Sequence, residues 1–254
     1  MTVTDRLLFL GCVALACQAQ NLTGFAFGLI VLGLVAVLHL GDLADAANVV
    51  SVLVLANAAV TFARGRPPQL VWPLFVPALI ASLAGVGAGV ALLGVISGEQ
   101  AAWLRFLLGC AIVVCAFLLV THARVRSRAA GLPSFLFYGA LSGVMGGLFA
   151  SAGPPMVYHL YRQPWKPDVI RHTLVLLFAA NAVLRLALVV AHGGFSATAL
   201  RLTLEALPLV LLLTWLARRH PSRLPQEQVR RVVFVLLMIA GLNLVLPPLL
   251  ALAR

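Results

Sequence analysis

Apolar residues in this chain come in blocks of about twenty, the length an α-helix needs to cross about 30 Å of hydrocarbon. Eight such blocks run roughly Leu7 to Leu38, Ala44 to Ala63, Leu70 to Ile96, Ala101 to His122, Ser134 to Leu160, Val169 to Ala191, Ala197 to Ala217 and Val229 to Leu252. A soluble core cannot absorb them. Of 254 residues 62% are hydrophobic and 10% charged, whereas soluble domains carry about a quarter charged residues. The pattern predicts an all-α integral membrane protein.

The net charge of +11 does not point to nucleic acid, because the basic residues sit in short clusters between apolar blocks rather than along one face. Cys12, Cys17, Cys110 and Cys115 lie inside apolar segments without the spacing or the His and acidic neighbours of a metal site, and read as small packing residues. No cofactor and no metal are expected. Asp5 to Gln20 looks like a signal peptide, with AlaLeuAla before Cys17; since the apolar run resumes at Leu22, the stretch reads as part of the first membrane element.

Two blocks are interrupted. Block one carries Gln18, Gln20, Asn21, Thr23 and Gly24, a cluster costly in hydrocarbon. Block five carries Ser151, Gly153, Pro154 and Pro155, and two consecutive prolines cannot continue a helix interior. Both helices are expected to break near their middles. Pro73 and Pro77 predict a kink near the start of block three.

A broken block either crosses the bilayer or turns back. The basic clusters are Arg64 and Arg66; Arg124, Arg126 and Arg128; Arg162, Lys166 and Arg171; and Arg218, Arg219, Arg223, Arg230 and Arg231. If block five turns back, all of these share one side, and Asp42, Asp45, Glu99 and the Gly193–Gly194 turn share the other. The positive-inside rule then favours re-entrant hairpins and cytoplasmic Arg-rich loops. Each half becomes one hairpin plus three spans, residues 1–128 and 129–254, with inverted topology. AlaAsnAlaAlaVal at 56–60 and AlaAsnAlaVal at 180–183 agree with such a repeat. Interrupted helices in matching positions of two inverted repeats are what secondary transporters use to build a midplane site.

The stretch SGVMGGLFASAGPPMVYHLY from Ser142 to Tyr161 resembles the Gly-rich second-repeat motif of the TauE/SafE family of membrane anion exporters, and QNLTGFAFG from Gln20 to Gly28 resembles its first-repeat counterpart. The resemblance spans nearly the whole chain in length and element order. Where many members carry a denser glycine run, this chain has Phe149, Ala150, Ser151 and Ala152, a departure that bears on substrate more than fold. The resemblance implies an inner-membrane, multi-pass exporter of sulfite or of an organosulfonate such as sulfoacetate, with other carboxylates or sulfur oxyanions left open. A small anion and the bilayer are then its partners, and a homodimer stays open.

The residues also speak for an anion by themselves. Where a helix restarts, its first N–H groups lack partners and the macrodipole adds partial positive charge. The first restart is expected near Leu22 to Gly24, where Asn21 or Thr23 either caps it or donates to a bound oxyanion, with Gln20 alongside. The second is expected near Gly153, with Pro154 and Pro155 suited to a first turn. The SerGly and GlyGly steps at 142–147 read as helix packing. Asn57 and Asn181 either bond helix to helix or line the cavity, and Asn48 carries less weight. Arg185 either complements the anion or snorkels to the interface. Arg201 and Glu205 are spaced to pair with each other. His159 and His172 are the candidates for proton coupling, whereas His39, His122, His192 and His220 fall near block ends.

Competing classes are a membrane scaffold or assembly protein, and an intramembrane serine hydrolase around AlaSerAlaGly at 150–153. The second lacks a general base and has two prolines directly after its serine. Seven acidic residues without paired carboxylates or HExxH argue against an enzyme.

Overall fold

A computed structural model describes residues 3–23, 25–63, 68–96, 101–120, 126–219 and 226–252. Gly24, Arg64, Arg66, Glu99, His122, Arg124, His220 and Arg223 lie outside the described residues, as do the side chains of Thr23, Arg218 and Arg230. The described residues form ten helices: α1 Val3–Thr23, α2 Phe27–Val37, α3 Leu43–Phe62, α4 Trp72–Ile96, α5 Ala101–Val120, α6 Leu132–Phe149, α7 Gly153–Tyr161, α8 Pro167–Ala191, α9 Ala197–Arg219 and α10 Gln226–Leu252. Among the described residues there is no strand. Five of the helices (α3, α4, α6, α8 and α9) are long and apolar enough to cross a membrane. The eight apolar blocks have become ten helices because blocks one and five are each broken in two.

The breaks are made differently. At the second, Ala150 takes a left-handed conformation (φ 50°) and α7 restarts at Gly153 with prolines in its first turn. There the missing proline N–H groups remove donors that would have had no acceptor. At the first, α1 continues through the polar cluster to Thr23, and α2 restarts only at Phe27 after Ala26 at φ 79°. The expected restart at Leu22 to Gly24 is therefore corrected by several residues. Gln20 and Asn21 do not unwind the helix, because Asn57 of α3 bonds both amides and Asn21 also donates to Cys17 one turn back in α1.

Both ends of the bundle are defined by contacts between helix termini. At one, α8 closes in a Schellman motif: Gly193 (φ 67°) donates to the Val190 carbonyl and Gly194 to the Val189 carbonyl. Its neighbours are the start of α3 and the N-terminus of α9, since Ser196 Oγ donates to Asp45 at 2.7 Å while accepting from the Ala199 N–H at 3.0 Å. At the opposite end, the Phe62 ring meets His172 at 5.6 Å, and the Gln69 N–H donates to His172 Nδ1 at 3.1 Å. α7 runs back along α6: the Arg126 N–H donates to the Arg162 carbonyl at 2.8 Å, the Ala130 N–H to Gln163 Oε1 at 2.8 Å, and Tyr138 stacks on His159.

Among the helix pairs in contact, α4 packs on α6 and on α8, α9 packs on α1 and on α3, and α5 packs on α10. Small residues permit the closest of these approaches. Gly139, Gly143 and Gly147, one turn apart on α6, lie against the backbone of Ala78, Ser82 and Val86 on α4, with Gly85 and Gly89 facing back. Gly109 and Gly241 do the same between α5 and α10. The packing reading of the 142–147 glycines holds for Gly143 and Gly147; Gly146 has a second use.

Candidate functional site

Where the two breaks approach each other, a Cβ on Gly28 would press against Ser151 and the Ala150 carbonyl. Beside this contact lies a cavity of ≈ 30 Å³. One water needs about 10–15 Å³, so the space suits a compact group. Its wall is built from Ala26 to Gly28 of the first break, Ala150 to Gly153 of the second, Val54 of α3, Asn181 and Arg185 of α8, with Gln20, Gly146 and the rings of Phe25 and Phe178. No carboxylate is among these residues.

Two helix N-termini therefore open on one space whose wall mixes apolar and polar side chains. Neither has a side-chain cap: Ala26 precedes α2 and Ala152 precedes α7, and neither side chain can accept from the first turn. Prolines at 154 and 155 leave Ala152 and Gly153 as the unpaired donors of α7, and both line the cavity. Ser142 Oγ donates to the Ala152 carbonyl and ties the break to α6. Unpaired N–H groups at the positive end of the dipole favour a negative group.

Arg185 supplies a full charge. It is 1% exposed, so the side chain does not snorkel to the interface, and that reading is corrected. Three hydrogen bonds satisfy its donors there, each to an uncharged acceptor: Nε to the Gly147 carbonyl at 3.1 Å, Nη1 to Asn48 Oδ1 at 2.9 Å and to Ser51 Oγ at 3.3 Å. Gly147 is in the last turn of α6, where carbonyls lack helical partners and a cation is favoured. The other broken helix is treated alike, for Arg171 Nη2 donates to the Asn21 carbonyl in the last turn of α1 at 3.3 Å. α8 thus carries one arginine for each break.

The remaining expected residues divide. Gln20, Ser151, Gly153, Asn181 and Arg185 line the cavity together. Asn57 does not; it receives Gln20 Nε2 at 3.1 Å and donates to Asn21 at 3.3 Å and Thr214 at 2.9 Å. Asn181 lines the cavity and also exchanges hydrogen bonds with Ser82. An amide on α3 is thus bonded to a hydroxyl on α9, and one on α8 to a hydroxyl on α4. Pro154 is buried in the first turn of α7 and is not among the lining residues. His159, buried against Phe135 and Tyr138, and His172 at the bundle end are not among the lining residues. Glu205 meets Arg6 at 3.5 Å instead of Arg201. Asn48, Ser51 and Ser82 carry more of the site than the sequence signalled, because a lone Asn or Ser in an apolar helix looks the same whether it holds a cation or a neighbouring carbonyl.

An all-helical membrane protein with two broken helices sharing a cavity, and a buried cation on its wall, is the class that this fold and site define. The chain belongs to the sulfite exporter TauE/SafE family, whose sequence model matches residues 8–244. It is 33% identical over 228 residues to the probable sulfite/organosulfonate exporter TauE of Cupriavidus necator, spanning 90% of this chain and 89% of that one. Over 145 residues it is 30% identical to the probable inner membrane transporter protein TsaS of Comamonas testosteroni, spanning 56% and 60%. No solved structure matches the chain.

Proposed function

We propose that this protein exports a small anion, sulfite or an organosulfonate such as sulfoacetate, across the inner membrane by alternating access around the cavity between the two breaks. The observation that carries the reading is Arg185, buried with uncharged partners on the wall of a space onto which two uncapped helix N-termini open. A charge held without a counter-ion in a low-dielectric setting is costly unless a ligand completes it. Gln20, Ser151, Gly153 and Asn181 surround the anion, Arg185 counters its charge, and Phe25 and Phe178 exclude water. The name of the Cupriavidus necator relative, a probable sulfite/organosulfonate exporter, supports the sulfur-oxyanion class.

Alternating access draws on an inverted repeat with its boundary near residue 128. In support, Arg6 near the start of α1 meets Glu205, two turns into α9, and α2 leads by a short link into the Asp45 end of α3. The first hairpin then enters and leaves at that end. The second enters and leaves at the His172 end, where Arg126 and Arg162 join. Exposed Arg126, Arg128, Lys166 and Arg171 make that end the cytoplasmic one by the positive-inside rule.

Purified protein screened for thermal stabilisation by sulfite, sulfate, sulfoacetate, taurine and simple carboxylates, followed by efflux from proteoliposomes, tests the reading. Stabilisation and flux with sulfite or an organosulfonate are expected. Stabilisation by cations or neutral solutes, with none by anions, overturns it.

A further inference from the structure

We propose that Asn48 is a positioning residue for anion binding: its neutral carboxamide aims the Arg185 guanidinium at the cavity without cancelling its charge, and ties that cation to the turn closing the Asp45 end. The inference rests on the anion-export reading above and deepens it.

Asn48 is 1% exposed in the second turn of α3 and uses both ends of its amide. Oδ1 accepts from Arg185 Nη1 at 2.9 Å, and Nδ2 donates to the Gly194 carbonyl at 2.9 Å. The second bond assigns the amide orientation, since a carbonyl can only accept. Asn48 is thereby locked with its oxygen toward the guanidinium. A carboxylate is the ordinary partner of a buried arginine, and one at this position would satisfy the same Nη1 at the same distance. An amide gives the same geometry and leaves the net charge in place beside the cavity.

The same amide reaches into the Gly193–Gly194 turn, whose next residues hold Asp45 through Ser196. The cation of the site and the closure of that end therefore share one side chain. Opening the Asp45 end separates Gly194 from Asn48 and frees the amide to turn, so the cation is held in its binding posture while that end is closed.

The test is N48D against N48A in the full chain, with KM and kcat for radiolabelled sulfite in proteoliposomes and the melting temperature of each variant in detergent. Asp keeps the acceptor and adds a charge that pairs with Arg185; Ala removes the acceptor and adds no charge; both lose the bond donated to the Gly194 carbonyl, so that loss does not separate them. We expect N48D to melt no lower than N48A while its KM for sulfite rises about tenfold or more over the parent, with N48A rising less. A merely structural Asn48 gives the opposite order, with the poorer acceptor doing more harm to both readouts. A KM for N48D no greater than that of N48A overturns the proposal. If N48D does not fold, S51D places a carboxylate on the other side-chain acceptor of the same nitrogen, 3.3 Å away, with the same expectation and the same overturning result. Absence of sulfite flux in the parent protein would instead sink the export reading, so the two failures are distinguishable.

Discussion

Arg185 makes a forked set of bonds, one nitrogen to the end of α6 and another to two side chains of α3, and a lysine cannot reproduce that fork. R185K keeps the charge and loses the reach, leaving buried acceptors unpaired at about 1–3 kcal/mol each. Its melting temperature is expected to fall, and sulfite flux in proteoliposomes to drop about tenfold or more; flux equal to the parent would remove Arg185 from the site. At the second break Ala150 sits at φ 50°, a conformation that costs a residue bearing a Cβ about 1 kcal/mol or more. A150G relieves that cost, and a chemical or thermal melt is expected to read a gain of about 1 kcal/mol, less the entropy a glycine adds to the unfolded chain. A loss of stability would mean that the Ala150 methyl contributes more in packing than the backbone loses in strain.

At the scale of elements, the α4–α6 contact rests on absent side chains. A Cβ at Gly143 would collide with the Ser82 carbonyl, which is backbone and cannot step aside, whereas at Gly87 on α4 it would meet nothing within 4 Å. G143V is expected to abolish well-folded protein in detergent size-exclusion profiles, while G87A leaves the profile unchanged and raises helix stability by about 0.5–1 kcal/mol. Identical behaviour of the two would mean that α4 and α6 are not packed at Gly143. How much of such an element is legible in sequence depends on what signals it. The helices were, because apolar length is a property of the chain alone. The second break was, because Pro154 and Pro155 lack the N–H groups a helix interior uses and fit the first turn of a new helix instead. The first break was misplaced because the polarity of Gln20 and Asn21 looks like unwinding until Asn57 of α3 partners both amides, and only the fold supplies that partner. Arg185 was ambiguous for the same reason: its reach to Asn48 spans 137 residues of chain, and local sequence offered the nearby interface as an equal destination.

At the scale of the whole molecule, the proposed inverted repeat makes a claim about sides that labelling can decide. If both hairpins return to the end they enter from, Asp42 and Gly194 lie outside, while Arg128 and Lys166 lie in the cytoplasm. Each of these residues is exposed, and Cys12, Cys17 and Cys115 are buried with Cys110 half-buried, so replacing all four cysteines removes a small background. In that parent, D42C and G194C are expected to react in intact cells with a membrane-impermeant thiol reagent, and R128C and K166C only after permeabilisation. The assignment turns on the second hairpin. Were α6 and α7 to cross the bilayer as one broken span, Arg128 and Lys166 would lie on opposite sides and one of them would label in intact cells. That would separate Arg126 from Arg162, whose backbones are hydrogen-bonded at 2.8 Å. The same result would place the N-termini of α2 and α7 in the same sense across the membrane. The two dipoles could then not converge on one anion from opposite ends, and the export mechanism would have to depend on Arg185 alone.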